Sequence, residues 1–545
     1  MDGMLDEVSF SASIDASAAA APYPFHSDDA TIYALSSAPG RAGIAVIRTS
    51  GSDCLNIYKA LCPSARPLKP RYAAVRTLYD PASSSGDANI LDRAAVILYF
   101  PGPKSVTGED VLELHVHGGP ATVKAVLAAI PATRKGHSTI RYAEPGEFTR
   151  RAFLNNRMDL TQVEALGDTL DAVTEQQRRA AVRGSSGHLG HTYDGWRAML
   201  LTARAEIEAL IDFSEDQHFD ESPAELLSGV ADQVHHLQHH IRVHEAAADR
   251  SNLLLHGIRL ALVGPANTGK SSLMNLVVGR EASIVSAEAG TTRDVVETTI
   301  DLRGYLCTFA DTAGFRQAPE ANSSTTPATP LGTIEAEGIR RARQKAADAD
   351  VVIVLASVEK SVGENGFYVS YDEETLRLAA QAREHLVVLN KCDLVADEAA
   401  LARLVGKFRT TVDQVGESSM KAPILTISCQ DAEMYLSRID PGGIHGLVDT
   451  LAATFASMTD LPPNEQDLLG VTARQQQLLA QCRTHLEDFQ AEATDETSGR
   501  GPDVVLAAEH LRYAADCLAR ITGRSEAGDI EEVLGVIFEK FCVGK

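Results

Sequence analysis

The stretch Gly264-Pro-Ala-Asn267-Thr268-Gly269-Lys270-Ser271-Ser272 follows an apolar run at 260–263 and opens onto a helix-like run from Leu273. Strand, glycine-rich loop, Lys-Ser and helix is the order that a phosphate cradle needs. The glycines let backbone N–H groups close around a β-phosphate. Lys270 then reaches the β and γ oxygens, and Ser271 offers its hydroxyl to Mg²⁺. An ordinary glycine-rich turn would explain these nine residues alone, but not the motifs that follow. Asp311-Thr312-Ala313-Gly314 comes after the apolar run 305–310, where a second loop sensing Mg²⁺ and γ-phosphate belongs. Asn390-Lys391-Cys392-Asp393 comes after the strand-like 386–389. Asp393 selects guanine for a chemical reason: a carboxylate accepts hydrogen bonds from N1–H and the 2-amino group, and adenine offers neither donor. Ser428-Cys429, after 424–427, sits where a backbone amide meets the guanine O6. Gly290-Thr291-Thr292 lies between the cradle and Asp311 and supplies a threonine that senses the γ-phosphate. These motifs, in their order along the chain, predict that GTP is bound and hydrolysed.

These loops need a frame. Between 257 and 460 strands alternate with helices, as a parallel sheet requires. Before it, from 149 to 256, the pattern is helical: Leu160, Val163, Leu166, Leu170 and Val173 recur at three- and four-residue steps, as do Leu200, Ala203, Ile207 and Leu210. The same signal returns in 461–545, with Leu511, Ala514, Leu518 and Ile521 on one face. A helical segment on each side predicts one bundle with the nucleotide domain inserted in it. Residues 29–148 read as short strands broken by Gly and Pro, with one clear helix from Ala121 to Ile130, a compact α+β domain. Residues 1–28 carry acids but no Lys or Arg, and read as a disordered extension and not as a transit or signal segment.

At 545 residues the chain is too long for one core. Its net charge of −24 argues against a wholesale nucleic-acid binder, so RNA would be met by a local patch or a partner. Arg134, Lys135, Arg141, Arg150, Arg151 and Arg157 are the cationic candidates, with a solvated basic face as the alternative. Eight cysteines without paired spacing predict free thiols in a reducing compartment, taken as the cytoplasm. No run of about 18 apolar residues exists, so no membrane span is expected. The histidines near 234–244 predict an exposed helix face and not a metal site.

Together these residues resemble the tRNA-modification GTPase family called MnmE or TrmE, across nearly all of 29–545. Outside the nucleotide motifs the likeness rests on Pro39-Gly-Arg-Ala-Gly43, Thr107-Gly-Glu-Asp110, His117-Gly-Gly-Pro120, Pro145-Gly-Glu-Phe-Thr149, Arg151-Ala-Phe-Leu-Asn155, Asp159-Leu160 with Gln162, Glu164-Ala165, and the closing Phe-Cys542-Val-Gly-Lys545. The resemblance implies a multidomain α+β and α/β fold: an N-terminal folate-binding-like α+β domain, a helical bundle, and an inserted Ras-like P-loop GTPase domain. It implies action on tRNA with a FAD-containing partner, MnmG (GidA), to install an aminomethyl or carboxymethylaminomethyl group at C5 of the wobble uridine. The one-carbon unit would come from 5-formyl- or methylene-tetrahydrofolate. A homodimer through residues 30–148, and a heterotetramer with the partner, follow from the same likeness.

Several site assignments also rest on the family. Phe315 stands where many small GTPases place a water-orienting glutamine, and a phenyl ring cannot position water. The family assigns that task to a downstream glutamate. Glu335 aligns with it and Glu337 is the rival, because the insertion at 317–333 lengthens the loop. A K⁺ ion would be held by Asn267, Ser286, Glu288 and Thr291, partly through backbone carbonyls. Thr292 would complete the Mg²⁺ shell with Ser271, and Ala287, Ala289 and Gly290 would line the nucleotide. Arg48, Glu113, Arg157 and Lys545 align with folate-binding positions, and Cys542 with the functional cysteine. A ribosome-assembly or other RNA-binding GTPase without modification chemistry is the alternative. Such a protein should carry an RNA-binding module after the GTPase domain, and no GXXG unit occurs in 462–545.

Overall fold

The structure, a computed structural model, describes residues 30–83, 89–134, 136, 139–213, 223–286, 298–309, 344, 346–361, 366–415, 423–434, 440, 442–463, 465–493, 503–524, 537–538, 541 and 544. They fall into two compact units, one drawn from 1–158 with 525–545 and the other from 159–524.

The first unit holds β1 (Thr31–Leu35), β2 (Ile44–Ser50), α1 (Cys54–Leu61), β3 (Ala74–Tyr79), β4 (Ile90–Phe100), β5 (Val111–His117), α2 (Pro120–Ala129), β6 (Ile140–Tyr142) and α3 (Glu147–Leu154). The six strands form one sheet in the order β3-β4-β5-β2-β1-β6. Strand alternation divides its residues between two faces. Ala45, Ile47, Leu112, Leu114 and Val116 pack with α1 and α2 in one core. Arg48 and Glu113, opposite each other in the β2–β5 register, point to the other face. There Ile32 and Ala34 of β1 pack with Ala143 and Phe148. Alongside the expected α2 stands α1, a second helix on that sheet. Cys54, Ile57, Tyr58 and Leu61, spaced at i, i+3, i+4 and i+7, are its buried face.

Where the sequence pattern turns helical at 149, the chain stays with the first unit as far as Met158. Arg151 reaches Glu109, Asn155 Nδ2 donates to Thr107 O at 2.7 Å, and Arg157 Nε donates to Ser105 O at 3.1 Å. The described C-terminal residues return to this unit. Phe538 and Phe541 are buried, and Gly544 O accepts Ser36 Oγ at 2.9 Å.

The second unit opens with helices α4 (Leu160–Asp171), α5 (Glu175–Gly184), α6 (His188–Phe213) and α7 (Pro223–His256). Asp159 and Gln162 form a capping box that starts α4, and Thr174 and Gln177 another that starts α5, each worth about 1 kcal/mol. The nucleotide half follows with β7 (Ile258–Val263), α8 (Lys270–Leu276), β8 (Ala282–Ser286), β9 (Thr298–Leu302), β10 (Tyr305–Phe309), β11 (Val351–Lys360), β12 (Phe367–Ser370), α9 (Glu373–Gln381), β13 (Glu384–Asn390), α10 (Glu398–Val415), β14 (Ile424–Thr426), α11 (Cys429–Met434) and α12 (Ile444–Thr459). Then come α13 (Ala473–Ala493) and α14 (Val504–Thr522). The sheet runs β14-β13-β11-β7-β10-β9-β8, with β12 beside β11. It is parallel from β14 to β10 and antiparallel beyond. Residues 351–358 of β11 are all buried, as a central parallel strand covered on both faces must be.

Tyr193, Trp196, Leu200 and Ile207 of α6, Leu237 and Ile241 of α7, Leu479 and Phe489 of α13 and Leu511, Leu518 and Ile521 of α14 share one helical core. Val173, counted in the periodic set, lies past the end of α4 and is exposed. The expectation of an exposed histidine face holds for His235, His236, His239 and His240 but not for His244. That imidazole is buried 4.7 Å from the Trp196 ring, and its Nδ1 stands 3.2 Å from Tyr193 Oη.

Candidate guanine-nucleotide site

β7 ends in the loop 264–269, and α8 begins at Lys270, so the cradle sits at the carboxyl end of parallel strands. Two glycines are required there by geometry. Gly264 has φ +148°, and a Cβ on it would lie 2.2 Å from Leu355 O; Gly269 has φ +96°, with a Cβ 2.4 Å from Asn390 Nδ2. Asn267 also adopts positive φ, 62°, which asparagine tolerates better than most residues. Lys270 Nζ donates to Gly264 O at 2.9 Å and Pro265 O at 2.5 Å, across the mouth of its own loop. Phosphate oxygens would compete with these carbonyls for the same ammonium.

The base side is built from the ends of β13 and β14. Asn390 is buried and bridges three loops: Nδ2 donates to Thr268 O at 2.8 Å, and Oδ1 accepts Cys429 N–H at 3.1 Å. Ser428 Oγ donates to Asp393 Oδ1 at 2.7 Å and accepts Asp431 N–H at 3.0 Å. An oxygen with two lone pairs can hold that hydroxyl and still accept a base N–H. Asp393 and Ser428 border an open cleft of about 350 Å³. Both amides expected near the guanine O6 are engaged here, Ser428 N–H on Gly442 O at 2.9 Å and Cys429 N–H on Asn390. Reaching O6 therefore requires one bond to be shared or released. Burial pushes the Cys429 thiol up to about 11, so at neutral pH it stays protonated beside this amide.

Lys391 has φ +62°, an uncommon state for its residue type, and Nζ donates to Glu359 Oε1 at 2.6 Å. That bond holds the Glu359 carboxyl below its usual range. Glu359 has no motif around it, and sequence reasoning missed it.

Of the other expected nucleotide residues, Ser271 and Ser272 open α8 and are exposed, and Ser286 ends β8. Ala287, Glu288, Ala289, Gly290, Thr291, Thr292, Asp311, Thr312, Ala313, Gly314, Glu335, Glu337, Cys542 and Lys545 lie outside the described residues.

A second polar cluster occupies the first unit. Arg48 Nε donates to Glu113 Oε1 at 3.0 Å, and His115 Nε2 stands 3.2 Å from Glu113 Oε2. The Arg48 guanidinium lies 5.9 Å from the Phe148 ring centroid. Arg157, expected beside them, is exposed and bonded to Ser105 O. His115 and the pair of buried Asp92 with exposed His117, at 2.9 Å, were not anticipated. The alternation Glu113, His115, His117 on one strand face was the available signal. Two of the proposed cations are consumed internally: Arg151 is buried between Glu109 and Glu147, and Arg141 also clasps Glu147. Burial works to raise the Glu147 carboxyl, but hydrogen bonds from Arg141 and the Glu144 N–H outweigh it and hold it below the usual range. Neither arginine belongs to an open basic face.

A largely parallel sheet carrying a glycine-rich phosphate loop after β7, with a carboxylate clasp for guanine at the end of β13, defines a P-loop GTPase. Residues 31–157 match the family described as GTP-binding protein TrmE N-terminus, and residues 160–542 match the MnmE helical domain. The human mitochondrial 5-taurinomethyluridine-tRNA synthase subunit GTPB3 is 39% identical over 538 residues, 96% of this chain and 94% of that protein. The tRNA modification GTPase MnmE of Parvibaculum lavamentivorans is 40% identical over 515 residues, 94% of this chain and 100% of that protein. The mitochondrial tRNA modification GTPase MSS1 of Saccharomyces cerevisiae is 35% identical over 541 residues, 96% and 95%. The chain belongs to the MnmE family of tRNA modification GTPases.

Proposed function

We propose that this chain is the GTP-hydrolysing component of an enzyme that modifies C5 of the wobble uridine in tRNA. The supporting observation is that an assembled guanine clasp, Asn390 with Thr268 and Cys429 and Ser428 with Asp393, lies in a chain that matches the family from residue 31 to residue 542. Relatives bear the names tRNA modification GTPase and 5-taurinomethyluridine-tRNA synthase subunit.

In this reading GTP binds with its phosphates on the loop 264–269, and Lys270 turns from the loop carbonyls to the β and γ oxygens. Ser271, exposed at the start of α8, fits a Mg²⁺ ligand, with Thr292 as its companion. Asn267 fits a K⁺ ligand, since its exposed carboxamide bonds to none of the described residues; Ser286, Glu288 and Thr291 would complete the shell. Bound Mg²⁺ and K⁺ would offset charge on the phosphates. Glu335, with Glu337 as rival, would orient the attacking water.

Arg48 and Glu113 fit a folate, because a carboxylate suits pterin donors and a guanidinium, here beside the Phe148 ring, suits a carboxylate tail. Arg157 and Lys545 would close the site. A folate there would supply the one-carbon unit, with Cys542 and a FAD-containing MnmG-like partner taking part downstream. A homodimer through residues 30–148, joined to the partner as a heterotetramer, and an inserted GTPase domain at 257–460 between bundle halves are parts of the same proposal. The cytoplasm is the proposed compartment. The seven described cysteines are all free, as a reducing compartment requires. No described helix is long and apolar enough to cross a membrane.

The test is nucleoside mass spectrometry of bulk tRNA from cells lacking the protein, complemented with wild type, Lys270→Ala or Cys542→Ser. C5-aminomethyl-type uridines should vanish in the null and return with wild type alone. Unchanged tRNA in the null would overturn the reading in favour of an assembly GTPase. Cell fractionation that finds the chain in mitochondria would overturn the compartment.

A further inference from the structure

His485 and Asp488 stand three residues apart on α13, so one helix face presents both. His510 comes from α14, packed alongside. Each offers one donor atom, and the three donor atoms lie within 4.8 Å of one another. The two imidazole centroids are 6.1 Å apart. Nδ1 of His485 and Nδ1 of His510 are both buried and have no hydrogen-bond partner among the described residues. Asp488 Oδ2 lies 3.9 Å from His510 Nδ1, too far for a hydrogen bond.

Buried imidazole nitrogens without partners are destabilising, and two of them beside one carboxylate need an explanation. The geometry points to a divalent-cation site of the zinc class, made by His485, Asp488 and His510, which ties α13 to α14 and leaves a fourth position for water. Two imidazoles and a carboxylate suit Zn²⁺ and its neighbours, whereas Mg²⁺ and Ca²⁺ favour oxygen alone. A coordinated ion would draw the donors closer than 4.8 Å. Asp488 is half-exposed and can make that movement by changing rotamer. The Tyr513 ring, 5.3 Å from His485 and capped by Arg512, walls the site on one side. The ion would act as a structural cross-link between helices whose connection spans 494–503.

The test uses the full-length chain, stripped with a chelator and titrated with Zn²⁺ by calorimetry, with metal content read after gel filtration. Wild type should retain one Zn²⁺ per chain and gain thermal stability on loading. His510→Ala and Asp488→Asn should bind at least tenfold more weakly and lose that gain; because Asp488 is half-exposed, its variant keeps the fold testable. A His235→Ala/His236→Ala control on the exposed face of α7 should match wild type. The proposal is overturned if wild type takes up no Zn²⁺, if the site survives in His485→Ala/His510→Ala, or if the α7 control loses the metal equally.

Discussion

Asn390→Ala isolates the joint on which the nucleotide site depends. The carboxamide makes two buried bonds, 2.8 Å to Thr268 O and 3.1 Å from Cys429 N–H, and its removal leaves both backbone groups without a partner. Each lost bond is worth about 1 kcal/mol, and an orphaned buried group costs about 1–3 kcal/mol more unless water reaches it. The alanine also opens a space beside Gly269, which admits water and lowers the total to about 2–3 kcal/mol. Because both bonds pre-order loops that contact nucleotide, this cost falls on binding, and GTP affinity should drop by about 30- to 150-fold. The hydrolysis rate at saturating GTP should change much less, since no reacting atom is touched. Fluorescent-nucleotide titration and single-turnover hydrolysis read the two quantities separately. Affinity within threefold of wild type would refute the view that this bridge organises the site.

Three further outcomes follow from named groups. Glu164 accepts Arg474 at 2.6 Å and Gln475 at 2.7 Å, joining α4 to α13, so Glu164→Ala should destabilise the helical layer by about 2–4 kcal/mol in urea unfolding, after allowance for the partial exposure of the pair. Burial, then the charges of His240 and His188, lowers the His244 pKa from 6.5 to about 4. The unfolded chain therefore takes up its proton first as pH falls. Stability present above about pH 6.5 is lost towards pH 4, about 2 kcal/mol of it by pH 5, and His244→Gln should flatten that dependence in the fluorescence of the sole tryptophan, Trp196. GTP hydrolysis should run faster in K⁺ than in Na⁺ buffer; equal rates would sink the role proposed for Asn267.

Motifs whose chemistry is local were the legible part. Lys270, Asn390, Asp393 and Ser428 stand at strand ends where their spacing placed them, because a parallel strand followed by a tight loop leaves little freedom. Long periodic helices, α6 and α14 above all, were legible for the same reason. What escaped depended on contacts far apart in sequence. His244 shares its sequence pattern with exposed neighbours, and only packing against Trp196 and Tyr193 singles it out. Arg151 looks like a surface cation until Glu109, 42 residues away, closes on it. The passage of the chain to Met158 before the helical unit begins was hidden likewise, since Asn155 and Arg157 hold to 105–107 through backbone carbonyls that no composition reveals.

The two crossings between helices and sheet also join residues distant in sequence. The chain leaves α7 at His256 and enters β7 at Ile258. It returns from α12 through Asp460 to the turn Gln466–Gly470. Ser251 Oγ donates to Leu469 O at 2.6 Å, fully buried, and Asn252 Nδ2 donates to Gln476 Oε1 at 3.2 Å, so the outgoing and returning segments are bonded to each other. On the α5 side Gln176 N–H meets Gly304 O at 3.2 Å, and Gln177 Nε2 meets Leu255 O at 2.7 Å. β7 runs from this junction to Gly264, so a shift at the phosphate loop would have a direct path into the helices, a prediction that the junction's bonds allow to be tested. Ser251→Ala would leave Leu469 O buried without its partner and weaken the junction by about 1–3 kcal/mol. In wild type, nucleotide release and Trp196 fluorescence should share one urea midpoint; in Ser251→Ala the two should separate. Separate midpoints already in wild type would mean that the junction does not transmit, and that each half unfolds alone.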